Sequence, residues 1–239
     1  LFVDTFNRYF EPENLRSAVR VLRNAGYQPF YPEPEGKSQK ALCCGKTHLS
    51  VGNISKARKS AERLVKTYLP YVRMGLPIVG LEPSCLFALK DEIPSLLKTQ
   101  DAKLVSKNVI TFEELLSKSS KVLKLKPLKA KALLHGHCHQ KAFNVLNSVE
   151  KVLLLIEGLE VEKIETSCCG MAGAFGYSKE TIDFSLQMAE KDLLPKIRQA
   201  DDETILIADG TSCRSQIIDA TKRQAVHVAR LLDRQLLDN

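Results

Sequence analysis

The sequence predicts an α/β protein built from two pseudo-repeated α/β lobes, each with a parallel sheet. Short apolar runs alternate with amphipathic stretches along the 239 residues, the order expected of parallel strands joined by helices. An adjacent cysteine pair followed by glycine occurs twice, at Cys43-Cys44 and at Cys168-Cys169, and a lone cysteine follows each pair, at Cys85 and at Cys213. The repeated order indicates an internal duplication.

The spacing of the repeated cysteines sets the expected boundary between the lobes. Cys168 lies 125 residues after Cys43, and Cys213 lies 128 residues after Cys85. Much of the +7 net charge falls in a lysine-rich segment over 118–131, which we interpret as a linker or a docking surface for an acidic partner. We expect residues 1–120 to form the first repeat lobe and 121–239 the second, related by a pseudo-twofold axis.

The expected elements of the first lobe begin with a strand over residues 1–3 and a helix over 12–26 that Gly26 ends. The remaining elements are a short strand over 27–31, a helix from Asn53, a buried strand over 77–81, a helix over 86–97, a strand near Val109 and a helix over 112–116.

The second lobe repeats this alternation after the basic segment. Strands are expected over 132–134, 161–165, 204–209 and 225–228. Helices are expected over 144–156, from Ser178 to about 197, over 214–222 and over 229–237.

Composition limits the class of protein. The content of 44% hydrophobic and 26% charged residues is typical of a globular protein, and no apolar run is long enough to cross a bilayer. Seven cysteines that include two adjacent pairs make a poor framework of extracellular disulfides, so we expect a reducing, cytoplasmic setting, with a peripheral position on the inner face of the membrane as a variant. The basic segment lacks aromatics that stack on bases, which disfavours nucleic-acid binding. The abrupt first strand suggests a piece of a longer polypeptide.

The cysteine motifs follow predicted strands and precede predicted helices. In open parallel sheets this edge carries the ligand site, and a helix N-terminus stabilises thiolate, the form that binds metal. We predict a metal or redox site between the lobes with four cysteine ligands: Cys44, Cys85, Cys169 and Cys213. For Cys43 and Cys168 a cofactor-binding role and a role as small buried residues both stay open, because two adjacent cysteines rarely reach one ion.

A second constellation, His135-Gly136-His137-Cys138-His139, ends a predicted strand. If the strand continues, the three histidines share one face and Cys138 points the other way; if a turn intervenes, Cys138 and His139 enter the site together. We predict His137 and His139 as catalytic residues, and Cys138 with His139 as metal ligands. The first lobe offers only Asp4-Thr5-Phe6 in this place, so the metal is expected closer to the second lobe.

Other polar residues leave alternatives open. Lys141 and Arg214 lie beside the motifs, where they would hold a carboxylate or cofactor by charge-assisted hydrogen bonds or be ordinary surface charges. His48 follows the first cysteine pair and is either a site residue or a plain loop residue. His227 is interpreted as a core or surface residue. No dinucleotide-binding glycine motif, Walker-type loop or Gly-x-Ser-x-Gly occurs, and a cysteine protease would not need the pairs twice.

Taken together, five motifs in order resemble the CCG (cysteine-rich) domain family, which includes the B subunit of heterodisulfide reductase and the iron–sulfur subunit of glycolate oxidase. The motifs are Leu42–Gly45, Leu81–Cys85, Gly136–Ala142, Cys168–Tyr177 and Ala208–Arg214. The chain is most similar to the C-terminal region of fused FAD-linked oxidases of the D-lactate and D-2-hydroxyglutarate dehydrogenase type.

The resemblance implies FAD and a 4Fe-4S cluster on other segments, with a flavin domain and a ferredoxin-like domain as partners and a small 2-hydroxyacid as substrate. Relatives with a Cys-x-x-Cys at the end of each repeat would hold an iron–sulfur cluster here. This sequence has Glu82 and Gly210 at those places, so a single iron or zinc with Cys and His ligands is favoured over a cluster.

The first functional hypothesis is therefore a metal- or iron–sulfur-bearing oxidoreductase domain of a flavin-dependent 2-hydroxyacid dehydrogenase. It would relay electrons or act at the substrate. The alternatives are a non-catalytic, metal-stabilised scaffold that docks a partner, and a thiol–disulfide redox module.

Overall fold

The computed structural model describes residues 1–32, 40–119, 123–166 and 168–237. The chain separates into two compact units: residues 1–16 with 28–115, and residues 17–27 with 116–239. Residues 17–27 thus cluster with the second unit, and the assignment of 1–120 and 121–239 as two repeat lobes stays a prediction. The predicted basic linker includes residues 120–122, which lie outside the described residues.

The first unit combines a two-stranded parallel sheet with short helices. The strands are β1 (Ile78–Gly80) and β2 (Val109–Thr111). The helices over residues 1–117 are α1 (Thr5–Tyr9), α2 (Pro12–Asn24), α3 (Lys46–Ser50), α4 (Ile54–Arg73), α5 (Pro83–Lys90), α6 (Glu92–Leu97), α7 (Gln100–Lys107) and α8 (Phe112–Ser117). The second half of α2 belongs to the other unit.

The long helix α4 shows how the apolar pattern builds the first core. Asn53 caps its N-terminus by accepting a hydrogen bond from the Lys56 amide. Its buried side chains recur at helical spacing and pack with β1 and α5 in one hydrophobic cluster: Ala57, Ala61, Leu64, Val65, Tyr68 and Val72 line this face, and all except Ala57 belong to the cluster. The helix predicted from Asn53 is confirmed.

The second unit contains a four-stranded parallel sheet in the order β4-β3-β5-β6. Its strands are β3 (Ala130–His135), β4 (Leu159–Lys163), β5 (Ile205–Ala208) and β6 (Ala225–Val226). Its helices are α9 (Cys138–Ala142), α10 (Leu146–Leu153), α11 (Ile182–Glu190), α12 (Leu193–Gln199), α13 (Thr211–Thr221) and α14 (Val228–Gln235). The predicted α/β class with parallel sheets is confirmed.

Two predicted strands of the first unit are wrong. Residues 27–31 form no strand because Pro29 lacks an amide hydrogen in the middle of the segment. Residues 1–3 form no strand either. The Phe2 amide donates one hydrogen bond to the Val79 carbonyl of β1 at 2.7 Å, and Asp4 then caps α1 and ends the extended segment. The helices predicted over 86–97 and from Ser178 are each divided in two, at Asp91 and around Lys191-Asp192.

Candidate metal centre

The carboxyl end of β3 turns sharply into α9. The strand ends at His135, and His137 is the N-cap of α9, with its Nδ1 accepting a hydrogen bond from the His139 amide at 3.1 Å. Gln140 completes a capping box, because its Oε1 accepts a bond from the His137 amide at 3.0 Å. Of the two alternatives left open by the sequence, the structure therefore has the turn, and Cys138 and His139 begin a helix.

Three buried side chains meet beneath this turn. The ligand atoms of His135, Cys169 and Cys213 lie within 4.8 Å of one another, and the two Sγ atoms are 3.4 Å apart. Only 1% of His135 is exposed, yet within the described residues neither of its ring nitrogens has a hydrogen-bond partner, apart from its electrostatic effect on the neighbouring Cys213. A buried polar group without a partner costs about 1–3 kcal/mol. A metal ion bound here would take one ring nitrogen of His135 as a ligand. The three side chains therefore fit a metal with mixed Cys and His ligands.

A second group lies at the start of α9. The Cys138 Sγ is 3.7 Å from His137 Nδ1 and 3.5 Å from His139 Nδ1, and all three ligand atoms lie within 4.8 Å of one another. His137 is buried, His139 is half-buried and Cys138 is exposed. The His137 Nδ1 already accepts the His139 amide, so its Nε2 is the nitrogen left for other chemistry.

The four thiols of the second unit affect one another's pKa along the run Cys138–Cys168–Cys169–Cys213, at the end of which the Cys169 and Cys213 Sγ atoms are within hydrogen-bond distance. Hydrogen bonds from Cys138 and Cys169 hold the pKa of Cys168 well below its usual range. The bond with Cys169 and the nearby His135 imidazole likewise lower the pKa of Cys213, against the effect of burial. The pKa values of Cys138 and Cys169 are raised, first by their bonds to Cys168. The direction of the pKa shift thus alternates along the run.

The loop that carries Cys168-Cys169 depends on Gly170. The Gly170 amide donates to the Cys168 Sγ at 3.3 Å, which stabilises the thiolate. Gly170 has a φ of +88°, and a Cβ there would lie 2.1 Å from the Ser185 carbonyl oxygen. The backbone conformation that aims this amide at sulfur is therefore available only to glycine.

Gly210 makes room for an imidazole. A Cβ at this position would lie 2.4 Å from His137 Cδ2, and 3.2 Å from both His137 Nε2 and Cys213 Sγ. The absence of a side chain at 210 therefore lets the His137 ring and the Cys213 thiol approach the same point. In the sequence, Gly210 is visible only as a departure from Cys-x-x-Cys.

The first unit assembles its own cysteine cluster. The Gly45 amide donates to Cys43 Sγ at 3.5 Å, and Gly45 has a φ of +80°. The bond with Cys44 and burial raise the pKa of Cys43. For Cys44, the bond with Cys43 lowers the pKa, but the bond with Cys85 and burial outweigh it, and the pKa is raised well above its usual value. The pKa of Cys85 is raised as well, so these three thiols are all held in the protonated form.

Two buried carboxylates accompany the cysteines of the first unit. Asp4 is 1% exposed and caps α1, and Glu82 is 2% exposed and caps α5. Burial and the Glu82 charge raise the pKa of Asp4 to about 6. For Cys85, the bond with Cys44 lowers the pKa, but burial and the two carboxylates outweigh it. The acidic surroundings therefore disfavour thiolate here.

The remaining predicted residues have identified surroundings. Lys141 donates through Nζ to the Thr166 carbonyl, and the buried Arg214 donates to the Ala208 carbonyl at 2.7 Å and to the Thr211 hydroxyl at 3.2 Å. His48 is half-buried in α3. His227 is fully buried and caps α14, its Nδ1 accepting the Ala229 amide at 3.0 Å.

The structure thus brings together all four cysteines of the second unit with the three histidines of the β3–α9 turn, and separately the three cysteines of the first unit. That both sets serve one centre stays a prediction. The ligands predicted from the sequence left out His135, whose signal was its place in the His-x-His-Cys-His cluster. They also left out the Asp4 and Glu82 carboxylates, whose signal was their position just before the helix starts.

Over the described parts of the chain, no helix combines the length and apolar character that crossing a membrane requires.

The chain matches known proteins along most of its length. A family model described as a cysteine-rich domain, CCG, matches residues 5–90 and 132–218. The chain is 30% identical over 242 residues to the C subunit of anaerobic glycerol-3-phosphate dehydrogenase of Escherichia coli (strain K12), covering 98% of this chain and 58% of that protein. It is 25% identical over 218 residues to D-2-hydroxyglutarate dehydrogenase of Pantoea ananatis, covering 90% of this chain and 20% of that protein.

A third relative is of similar length to this chain. Lactate utilization protein A 2 of Bacillus cereus (strain Q1) is 25% identical over 254 residues, covering 99% of this chain and 98% of that protein. No solved structure matches the chain. The two repeats of the family model contain both cysteine pairs and both lone cysteines, and the relatives are oxidoreductase proteins or their subunits. The resemblance predicted from the motifs is confirmed: the chain belongs to the cysteine-rich domain (CCG) family, whose relatives point to a redox role.

Proposed function

We propose that this chain is the iron-bearing electron-transfer domain of a flavin-linked dehydrogenase that oxidises a small 2-hydroxyacid. His135, Cys169 and Cys213 are its principal metal ligands, and Cys138 and His139 lie next to them in the same unit. Iron is chosen over zinc because zinc has no redox chemistry and would make the site structural. Zinc in the purified protein would instead favour a metal-stabilised scaffold.

The observation that carries this proposal is the partnerless imidazole of His135 beside two buried thiols. An evolved core rarely leaves both ring nitrogens of a buried histidine without partners, because the cost is about 1–3 kcal/mol. A ligand bond to a metal removes that cost. The lowered pKa of Cys213 supplies one of the thiolates that a metal needs, whereas Cys169, whose pKa is raised, would lose its proton when the metal binds.

The protein's own residues prepare the site in three ways. The Gly170 amide and the neighbouring thiols stabilise the Cys168 thiolate. The His139 amide fixes the His137 ring, so that its Nε2 side faces Gly210 and holds or passes a proton there. Bound iron would supply one-electron transfer. The half-buried Cys168 and Cys43 are proposed to contact the cofactor at the outer side of each cluster.

The predicted ligands Cys44 and Cys85 are proposed as weaker contributors. Like Cys169, both have a raised pKa, so binding metal requires the loss of a proton that the surroundings retain. Unlike Cys169, neither belongs to a group of three ligand atoms that lie within 4.8 Å of one another among the described residues. Lys141 and Arg214 are proposed to orient a carboxylate at the edge of the site, in addition to their bonds to Thr166 and Ala208.

The partners follow from the relatives. The chain spans 58% of the glycerol-3-phosphate dehydrogenase subunit and 20% of the D-2-hydroxyglutarate dehydrogenase. We propose that FAD and a 4Fe-4S cluster lie on other domains of the same polypeptide or complex, and that the substrate reacts at the flavin. The compartment that we propose is the cytoplasm or the inner surface of the membrane.

Metal and sulfide analysis of the anaerobically purified chain tests the proposal. We expect iron near one equivalent with little acid-labile sulfide, and loss of that iron in Cys213→Ser with unchanged circular dichroism. Stoichiometric sulfide would replace the mononuclear centre with a cluster. Iron that survives in both Cys169→Ser and Cys213→Ser would contradict the assigned ligands.

A thiol–disulfide module is the second candidate, favoured by the 3.4 Å separation of the Cys169 and Cys213 Sγ atoms. It predicts that mild oxidant removes two titratable thiols from the metal-free chain and that dithiothreitol restores them. In the metal-centre account, bound metal protects both thiols from this oxidation.

A further inference from the structure

A buried carboxylate links the start of α9 to two other elements of the second unit. Asp209 directly follows β5 and is 1% exposed. Its Oδ2 accepts a hydrogen bond from Gln140 Nε2 at 2.8 Å, and its Oδ1 accepts one from the Val228 amide at 3.1 Å. Both oxygens are thus engaged with groups that lie far away in sequence, on α9 and at the start of α14.

Gln140 transmits this link to the metal-centre turn. Its side chain is also 1% exposed, and its Oε1 accepts the His137 amide at 3.0 Å while its Nε2 donates to Asp209. The two ends of the amide therefore have opposite roles, and a flipped amide would lose both bonds. A chain of three hydrogen bonds runs from the Val228 amide through Asp209 and Gln140 to His137.

We propose that Gln140 and Asp209 are positioning residues that hold the turn bearing His137, Cys138 and His139 against the carboxyl end of β5. Neither residue belongs to the two Cys and His groups described above; Asp209 instead lies beside the buried His227, whose Nδ1 is 3.6 Å from Asp209 Oδ1. They act by fixing where α9 begins, and so where the His137 ring and the Cys138 thiol lie relative to Cys213. The inference rests on the proposed function only in taking this turn to be part of the metal centre.

The first unit shows what a cap without this link looks like. At the start of α1, Asn7 stands at the position that Gln140 has in α9, and its Nδ2 donates to its own N-cap, Asp4, at 2.8 Å. That bond stays within one turn of helix. In the second unit the longer glutamine instead reaches the end of the neighbouring strand, 69 residues away in sequence. Asn7 is joined to a different element, since its Oδ1 accepts a hydrogen bond from Asn14 Nδ2 of α2 at 2.9 Å.

An isosteric exchange of the two side chains tests the tie. In Gln140→Glu, two carboxylates face each other in a buried site. In Asp209→Asn, one amide cannot accept from both Gln140 and the Val228 amide. The double variant Gln140→Glu, Asp209→Asn restores every bond: the introduced glutamate accepts from the His137 amide and from the introduced asparagine, which in turn accepts the Val228 amide. Size, net charge and hydrogen-bond count match the wild type.

Two readouts separate positioning from overall stability. The first is the alkylation rate of the exposed Cys138 in the metal-free chain, followed by peptide mass spectrometry. The second is the affinity for Co²⁺ measured by optical titration. We expect each single variant to change the Cys138 rate severalfold and to weaken Co²⁺ binding by about 10–100-fold, the usual effect of outer-shell residues. The double variant is expected to return both quantities to within about threefold of wild type.

The buried Gln216 offers a matched control, since its Nε2 bonds Ser185 and not α9. Gln216→Glu is expected to lower the melting temperature while leaving Cys138 alkylation unchanged. Single variants with wild-type alkylation, or a double variant as impaired as the singles, would overturn the positioning role. If wild type binds no Co²⁺ but the alkylation pattern is as expected, the metal proposal fails and the positioning role of Gln140 and Asp209 stands.

Discussion

The two units of this protein repeat one local framework with different chemistry. In each, a glycine with positive φ, Gly45 or Gly170, aims its amide at the Sγ of the first cysteine of a pair. In each, a lone cysteine stands in the first turn of the helix after a buried strand, Cys85 in α5 and Cys213 in α13. The backbone arrangement alone therefore does not determine what the site can bind.

The difference lies in the residues around the thiols. Before and at the start of a helix, the second unit has His135, His137 and Cys138, and the first unit has, in the same chain order, Phe2, Asp4 and Thr5. Where the second has Gly210 before its lone cysteine, the first has the buried Glu82. Imidazoles favour thiolate, and carboxylates favour the protonated thiol. The pKa of the lone cysteine is accordingly lowered in the second unit, at Cys213, and raised in the first, at Cys85.

The largest expected effect comes from replacing the lone cysteine of each unit by serine. Cys213→Ser removes a buried ligand with a lowered pKa and is expected to weaken Zn²⁺ or Co²⁺ binding by more than about 100-fold, beyond the range typical of outer-shell changes. Cys85→Ser removes a thiol that is held protonated, and the expected loss is about tenfold or less. Competition with a chromophoric chelator measures both. Equal losses would mean that the two cysteines contribute alike.

The next effect comes from making the second unit resemble the first at the end of β3. His135→Phe copies Phe2 and is expected to lower metal affinity by at least about tenfold. It is also expected to raise the free energy of unfolding of the metal-free chain by about 1 kcal/mol, because the partnerless buried imidazole is removed. Denaturant unfolding in chelator measures this. A variant that is less stable without metal would show that His135 is satisfied in some other way.

A smaller effect is expected at Gly210. Gly210→Ala places a Cβ against the His137 ring and is expected to cost about 1–3 kcal/mol of stability. Most of that cost should disappear in the double variant with His137→Ala, since the obstructing ring is gone. Thermal denaturation of the two variants and of His137→Ala alone gives the coupling. Additive costs would mean that the ring is free to move away.

The last expected effect concerns the carboxylates of the first unit and does not involve the metal. A pKa of about 6 for Asp4 lies above its usual 3.8, so the folded state binds more protons than the unfolded state between these values. Its contribution to stability is therefore greatest at low pH and falls by about 2–3 kcal/mol as pH rises from about 4 to above 6. In Glu82→Gln the pKa of Asp4 should move down, which NMR titration of the carboxyl carbon measures. An unchanged pKa would assign the whole shift to burial.

Periodic patterns predicted most of the fold. The buried residues of α4 recur at helical spacing, and β1 is a short continuous apolar run, so the positions of both elements can be predicted from the sequence. The five-residue helices α1, α3 and α9 could not be predicted in this way, because a helix of less than two turns is too short for its apolar residues to repeat. For the same reason, the sequence did not decide whether the strand continues after His135 or ends there in a turn.

The candidate site was predictable only as far as its ligand types. Duplicated cysteine pairs and the histidine cluster identified the elements that carry it. The bond between Gln140 and Asp209 could not be predicted, because it joins residues 69 positions apart whose types are ordinary in either place. Nor could the opposite pKa shifts of Cys168 and Cys169 be predicted, because they depend on sulfur positions that only the tertiary structure provides.

The most direct measurement compares Cys43 with Cys168, which share half-burial and the same amide-to-sulfur contact. The pH dependence of iodoacetamide alkylation at each, in the folded metal-free chain, gives the two thiol pKa values by mass spectrometry. We expect Cys168 to react at a steady rate at about pH 6 and above, and Cys43 to react only in strongly alkaline solution. Equal midpoints near the usual thiol value would contradict the claim that the second unit, and not the first, presents thiolate to a metal.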